Sequence, residues 1–261
     1  MVTQRRRTAG IRLIQEDTLN LHLDPGPGAL IFSNWARLNP QGLDGILVSH
    51  SHPDHYCDAE VLIEGMSHGT TEKRGLVAAP RSVLRGNDVC GPAISRYHQG
   101  LVSEIAELSP DREARLGQVR IRATKAVHSD PDAIGFLMDI PDIGEIGYSS
   151  DTALYEGIED YYRETRILIL CTIRPRGSPL PLHLSVDDAA KLVTGAKPRY
   201  VLLTGFGMGL FGDKAAEQAK WMEKETGVPT TAAEDGMEIR VGDKIEVKSQ
   251  KRGTPTRTIE A

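Results

Sequence analysis

The sequence predicts an α/β fold, and three observations support this prediction. The chain of 261 residues can bury one sizeable core, and it fits one large domain or a two-layer α/β sandwich. The first half is rich in short runs typical of strands. The second half alternates apolar runs with helical patterns, which favours strands followed by helices. We expect a single domain over residues 1–261, with loose tails at 1–10 and 251–261.

Composition and charge exclude several classes of protein. The net charge of −5 gives no sign of a nucleic-acid-binding surface. No apolar run approaches the roughly 18 residues of a membrane span, and no apolar stretch follows the N-terminal arginines as in a secretory signal. Cys57, Cys90 and Cys171 show no paired spacing, which predicts a reducing compartment without disulfides. We therefore expect a cytoplasmic protein without a membrane or nucleic-acid partner. Assembly into a homo-oligomer stays open.

The densest group of candidate metal ligands follows a predicted strand at residues 46–48. This apolar run is typical of a short buried strand, and it leads into four polar side chains within six residues. These are His50, His52, Asp54 and His55. Imidazole nitrogens and carboxylate oxygens suit Zn, Fe or Mn, and alternation directs His50 and His52 to the same side of an extended backbone. The alternative is a polar loop that happens to be rich in histidine.

This motif, placed after an apolar strand, resembles the signature of the metallo-β-lactamase-fold hydrolases. The resemblance covers about residues 19–240. It implies an αββα sandwich, in which two mixed sheets lie face to face with helices outside and metals at one edge. It also implies that His50 and His52 bind one metal and that Asp54 and His55 face a second.

Three further residues match positions of the same family. His128 ends a predicted strand at residues 118–127, and the resemblance implies that it binds the first metal. Asp151 follows another predicted strand and would bridge both metals. Asp24 ends a strand at residues 19–23 and would hold a backbone group or a ligand histidine in place, although Asp-Pro-Gly is also typical of an ordinary turn. The implied cofactor is zinc, as one or two ions, with Mn or Fe also compatible.

One position departs from the family pattern. A predicted strand at residues 199–204 is followed by Gly205, where the family has a histidine, and His183 is the last histidine of the chain. The second metal would then keep only Asp54, His55 and Asp151 as protein ligands. Three outcomes stay open: a weakly held second metal, His183 as a substitute ligand, or a single metal.

The resemblance implies a metal-dependent hydrolase that acts through a metal-bound hydroxide. His183 precedes a predicted helix with a capping-box pattern at Ser185, and it is similar to a catalytic histidine of the phosphodiesterase branch. It would protonate the leaving alkoxide, while Asp54 would orient the attacking water or accept its proton.

The expected substrate is a small or cyclic phosphate ester in anionic form. The interval between His128 and Asp151 holds one predicted hairpin, whereas the tRNA-processing enzymes of the family carry a long inserted arm there. Two alternatives remain: a lactonase or thioesterase on the same metals, and a catalytically decayed metal-binding or sensing protein.

Overall fold

The structure is a computed structural model that describes residues 6–8, 10–16, 18–250 and 254–260. The chain divides into two compact units: the first comprises residues 1–125 and 130–134, and the second comprises residues 126–129 and 135–261. The single-domain organisation stays a prediction. Much of the two expected tails, at residues 1–5, 9, 251–253 and 261, lies outside the described residues.

A five-stranded mixed sheet forms the centre of the first unit, in the order β1-β2-β3-β4-β5. Its strands are β1 (Ile11–Gln15), β2 (Leu19–Leu23), β3 (Gly45–Leu47), β4 (Leu76–Pro80) and β5 (Glu104–Leu108). β1 pairs antiparallel with β2, and the remaining neighbours are parallel. The carboxyl ends of β2, β3 and β4 therefore meet at one edge of this sheet. The unit also contains an antiparallel hairpin of β6 (Glu113–Leu116) and β7 (Val119–Lys125).

Short helices cover this sheet and fix the position of β3. They are α1 (Ala29–Trp35), α2 (Pro53–Tyr56), α3 (Ala59–Met66), α4 (Arg81–Leu84) and α5 (Arg96–Gln99). Helix α3 buries Leu62, Ile63 and Met66 in one apolar cluster with Ile46 and Val77 of the sheet. Each fully buried side chain of this size contributes about 1.5–3 kcal/mol. The segment that leaves β3 therefore starts from a rigid base.

A second mixed sheet forms the centre of the second unit. Its strands are β8 (Ile134–Ile140), β9 (Gly144–Tyr148), β10 (Ile167–Arg174), β11 (Leu184–Ser185), β12 (Val201–Thr204) and β13 (Thr230–Ala232). The order is β13-β12-β10-β9-β8, and β11 pairs with β10. β8 and β9 are antiparallel, whereas the remaining pairs are parallel. The carboxyl ends of β9, β10 and β12 therefore share one edge.

Three helices accompany this sheet: α6 (Ile158–Tyr161), α7 (Val186–Ala196) and α8 (Lys214–Thr226). The predicted capping box of α7 is present, because the Ser185 hydroxyl accepts from the Asp188 amide and the Asp188 carboxylate accepts from the Ser185 amide. Val193 of α7 and Met222 of α8 belong to one apolar cluster with Leu168 of β10. This packing holds the parallel strands in place.

A small antiparallel sheet follows near the C-terminus, made of β14 (Glu238–Val241), β15 (Lys244–Lys248) and β16 (Arg257–Glu260). The prediction of a loose tail is wrong for β16. Ile259 is buried opposite Ile245, and the Arg257 guanidinium donates to both carboxylate oxygens of Glu223 at 2.8 Å. These contacts with residues distant in the chain hold β16 in place, although its local sequence is polar. Among the described residues, no helix is long and apolar enough to cross a membrane.

Candidate metal centre

The first unit presents four predicted ligands on the segment that leaves β3. His50 is fully buried, and its Nε2 lies 3.1 Å from Nδ1 of His52. Two nitrogens bound to one tetrahedral zinc, each about 2.0–2.1 Å from the ion, would have a similar separation. The two rings meet edge to face, with centroids 4.7 Å apart. His50 and His52 therefore present adjacent nitrogens that could bind one ion.

Asp24 lies behind these histidines at the end of β2. Its Oδ1 accepts from the Ser49 amide at 2.7 Å, and its Oδ2 accepts from the Ser49 hydroxyl at 2.6 Å. Oδ2 also lies 2.7 Å from Nδ1 of His55. Because a carboxylate only accepts, Nδ1 of His55 carries the proton, and Nε2 is the nitrogen suited to a metal.

The same network assigns the tautomer of His50. The Ser49 hydroxyl donates its hydrogen bond to Asp24, so that its oxygen is left to accept from Nδ1 of His50 at 3.0 Å. Nε2 of His50 is therefore the unprotonated nitrogen in the neutral ring. One carboxylate thus orients two candidate ligands, directly in His55 and through Ser49 in His50.

Helix α2 places Asp54 beside His55. Pro53 occupies the first helical position, where a proline is tolerated, and His52 is the N-cap. Oδ2 of Asp54 lies 3.5 Å from Nε2 of His55. The turn after Asp24 passes directly beneath this helix, since a Cβ on Gly26 would lie 2.0 Å from the Asp54 carbonyl oxygen. Only glycine permits this approach.

The second unit brings together His128, Asp151 and His183. Each residue has one ligand atom within 4.8 Å of the ligand atoms of the other two. Nε2 of His183 lies 3.7 Å from Oδ2 of Asp151, and the rings of His128 and His183 meet edge to face at 4.8 Å. His128 and Asp151 are buried, each 8% exposed. Imidazole and carboxylate donors of this kind suit Zn, Mn or Fe.

A tight turn holds both histidines of this cluster. Nδ1 of His128 lies 3.0 Å from the carbonyl oxygen of Leu182, and Nδ1 of His183 lies 3.1 Å from that of Pro181. Carbonyl oxygens only accept, so both Nδ1 atoms carry protons. Leu182 adopts a positive φ of 62°, and an isolated bridge joins Leu180 to His183. The sequence carries no clear signal for this turn.

Gly205 follows β12 in a conformation that suits glycine. Its φ is +66°, and a Cβ there would lie 3.0 Å from Cβ and 3.1 Å from Cα of Cys171. A non-glycine residue would therefore combine left-handed strain with a tight contact against β10. The local backbone therefore disfavours a histidine at this position.

Sequence patterns do not point to Asp130, a buried carboxylate beside the first ligand segment. Burial raises the pKa of the Asp130 carboxyl. Hydrogen bonds from Ser82, Ser51 and the Asp132 amide lower this pKa by a larger amount, so that it lies below its usual value. The polar loop at residues 128–132 gives no indication of these contacts, because Ser51 lies 79 positions away in the chain.

The protein is an α/β protein with two mixed sheets and flanking helices. Its histidine and carboxylate clusters form a candidate metal centre. A family model described as a beta-lactamase superfamily domain matches residues 19–206. The chain belongs to the beta-lactamase superfamily and has the α/β metallo-β-lactamase fold, so the predicted fold class is confirmed.

One sequence relative and two solved structures are similar to this chain. The chain is 32% identical over 240 residues to the uncharacterized protein MJ1374 of Methanocaldococcus jannaschii, covering 92% of this chain and 90% of the relative. The crystal structure of the metallo-beta-lactamase fold protein YhfI from Bacillus subtilis is similar at a TM-score of 0.70 and 18% identity, covering 87% and 90% of the two chains. A diphosphatase from the PhnP family is similar at a TM-score of 0.64 and 16% identity, covering 87% and 83%.

Proposed function

We propose that this protein is a metal-dependent hydrolase, and more specifically a phosphodiesterase that acts on a small or cyclic phosphate ester. The observation that carries this proposal is a hydrogen-bond pattern that three histidine rings share. In His50, His55 and His128, a hydroxyl, carboxylate or carbonyl oxygen accepts from Nδ1. Such contacts orient the rings of metal-binding histidines and select the tautomer that can bind.

We assign the ligands as the family resemblance implies. His50, His52 and His128 would hold one metal, Asp54 and His55 would hold a second, and Asp151 would be shared. Zinc fits these donors, as do Mn and Fe. When bound, the metal supplies a water of lowered pKa and polarises the oxygen of the ester.

The protein's own side chains supply the remaining steps. Asp54 would orient the attacking water and accept its proton. His183 would give a proton from Nε2 to the leaving alkoxide, while the carbonyl oxygen of Pro181 holds its Nδ1 proton. The Asp151 carboxylate lies 3.7 Å from this Nε2, so the proposed acid lies beside a proposed metal ligand.

Three observations favour a small phosphate ester. One structural relative is described as a diphosphatase. A single hairpin, β8 and β9, lies between His128 and Asp151. The net charge of −5 disfavours a polyanion such as tRNA.

The proposal is tested by comparing three classes of ester. Purified protein loaded with zinc or manganese should hydrolyse a bis-aryl phosphate and should leave lactones and thioesters intact. Removal of the metal with a chelator should abolish the activity, and return of the metal should restore it. A His50→Ala variant should be inactive under all these conditions.

Each alternative function has its own outcome in the same assay. Preferential turnover of a lactone or a thioester would favour the lactonase or thioesterase. Bound metal without turnover of any ester would favour a decayed metal-binding protein, which the glycine at position 205 makes a real alternative.

A further inference from the structure

Asp130 holds the peptide that joins His50 to His52. Its Oδ2 accepts from the Ser51 amide at 2.8 Å, from the Ser51 hydroxyl at 2.8 Å and from the Ser82 hydroxyl at 2.7 Å. Its Oδ1 accepts from the Asp132 amide at 3.0 Å. Asp130 is only 4% exposed, so these bonds replace the water that a carboxylate would otherwise bind.

Asp130 and Asp24 accept the same pair of hydrogen bonds from the two serines on either side of His50. Asp24 binds both the amide and the hydroxyl of Ser49, and Asp130 binds both the amide and the hydroxyl of Ser51. His50 thus lies between two anchored residues. Neither anchor uses a side chain that would itself bind the metal.

The two carboxylates have different effects on the ligands. Asp24 determines which nitrogen of His50 and His55 carries the proton. The 3.1 Å separation between Nε2 of His50 and Nδ1 of His52 depends instead on the backbone torsions at Ser51. This peptide lies outside helices and strands, so its conformation has no support from regular secondary structure.

Asp130 is well suited to fix these torsions. Charge-assisted hydrogen bonds are about twice as strong as neutral ones, and one carboxylate oxygen here serves three donors. Ser82 belongs to α4, which directly follows β4, and it is fully buried. Asp130 therefore connects the Ser51 peptide to the rigid edge of the sheet.

We propose that Asp130 is a positioning residue that pre-orders the segment from His50 to His52 for metal binding. This inference rests on the proposed function. A preordered segment pays less conformational entropy when the metal binds, so that metal affinity and ligand geometry both depend on Asp130.

The test compares Asp130→Asn with Ser82→Ala. Both variants weaken the same cluster, but only the first reduces the hold on Ser51. Zinc affinity is measured by competition with a chromophoric chelator, ligand geometry by the visible spectrum of the cobalt-substituted protein, and stability by thermal unfolding. Asp130→Asn should bind zinc about 10-fold more weakly and change the cobalt spectrum. Ser82→Ala keeps both Ser51 contacts, so it should lower the melting temperature and change zinc affinity and the spectrum less than Asp130→Asn does.

Ser51→Ala provides a second route if Asp130→Asn does not fold. It removes the hydroxyl contact and keeps the amide contact, so it should produce a smaller loss of zinc affinity in the same direction. Wild-type affinity and spectrum in Asp130→Asn, or in Ser51→Ala where that variant alone folds, would overturn the inference. Absence of zinc binding by the wild-type protein would instead overturn the proposed function.

Discussion

Oδ2 of Asp24 lies 2.7 Å from Nδ1 of His55, although the two residues are separated by 31 positions in the chain. This contact connects the end of β2 to helix α2. It fixes both the tautomer and the orientation of the His55 ring.

Asp24→Asn is expected to weaken metal binding by about 10- to 100-fold, because an amide can donate to Nδ1 of His55 and stabilise the wrong tautomer. Metal affinity is measured by chelator competition, and the tautomer by ¹⁵N NMR of the histidine rings. Asp58→Asn is the matched control, since its side chain accepts from the Leu30 amide rather than a histidine. Equal affinities of the two variants would contradict the expectation.

His183→Ala is expected to lower kcat by about 10²- to 10⁴-fold with little loss of metal, because a general acid is removed. The loss should be larger for an alkyl ester than for a nitrophenyl ester, whose leaving group needs no proton. Metal content is measured beside the rate. A loss of metal would show that His183 is a substitute ligand, and unchanged turnover would eliminate both roles.

Gly205→Ala is expected to destabilise the protein more than Gly212→Ala. Both glycines have a positive φ, of +66° and +70°, but a Cβ on Gly212 would meet nothing within 4 Å. Each variant carries the left-handed strain of about 1–2 kcal/mol, and only Gly205→Ala adds the contact with Cys171. Denaturant unfolding measures the difference. Equal destabilisation would show that β10 yields to the added methyl group.

Tyr200→Phe is expected to reduce the loss of stability at alkaline pH. Burial raises the pKa of Tyr200 to about 12 from an ordinary value of 10.0. The unfolded chain therefore loses this proton first, and stability falls as pH rises from about 10 through about 12. A shift of this size corresponds to about 2–3 kcal/mol.

The comparison is made by denaturant unfolding across that pH range. Tyr97→Phe is the control, because Tyr97 is 61% exposed. The same alkaline loss in wild type and Tyr200→Phe would rule out a contribution from this hydroxyl.

Local patterns predicted several elements well. The strands at residues 11–15 and 19–23 have the predicted bounds, and the capping box of α7 is present. Both depend on neighbours within a few positions. Helix α1 was not predicted, because it follows a run of prolines and glycines and has Gly28, rather than a side-chain acceptor, at its N-cap.

The sequence by itself determined which side chains are candidate metal ligands. Their spacing also indicated the protein family. The sequence did both because His50, His52, Asp54 and His55 lie within one short motif. Only the tertiary structure decided how these groups are oriented. The contacts of Asp24 with Ser49 and of Asp130 with Ser51 span 25 and 79 positions, and hydrogen bonds between such distant residues leave no periodic pattern in the chain.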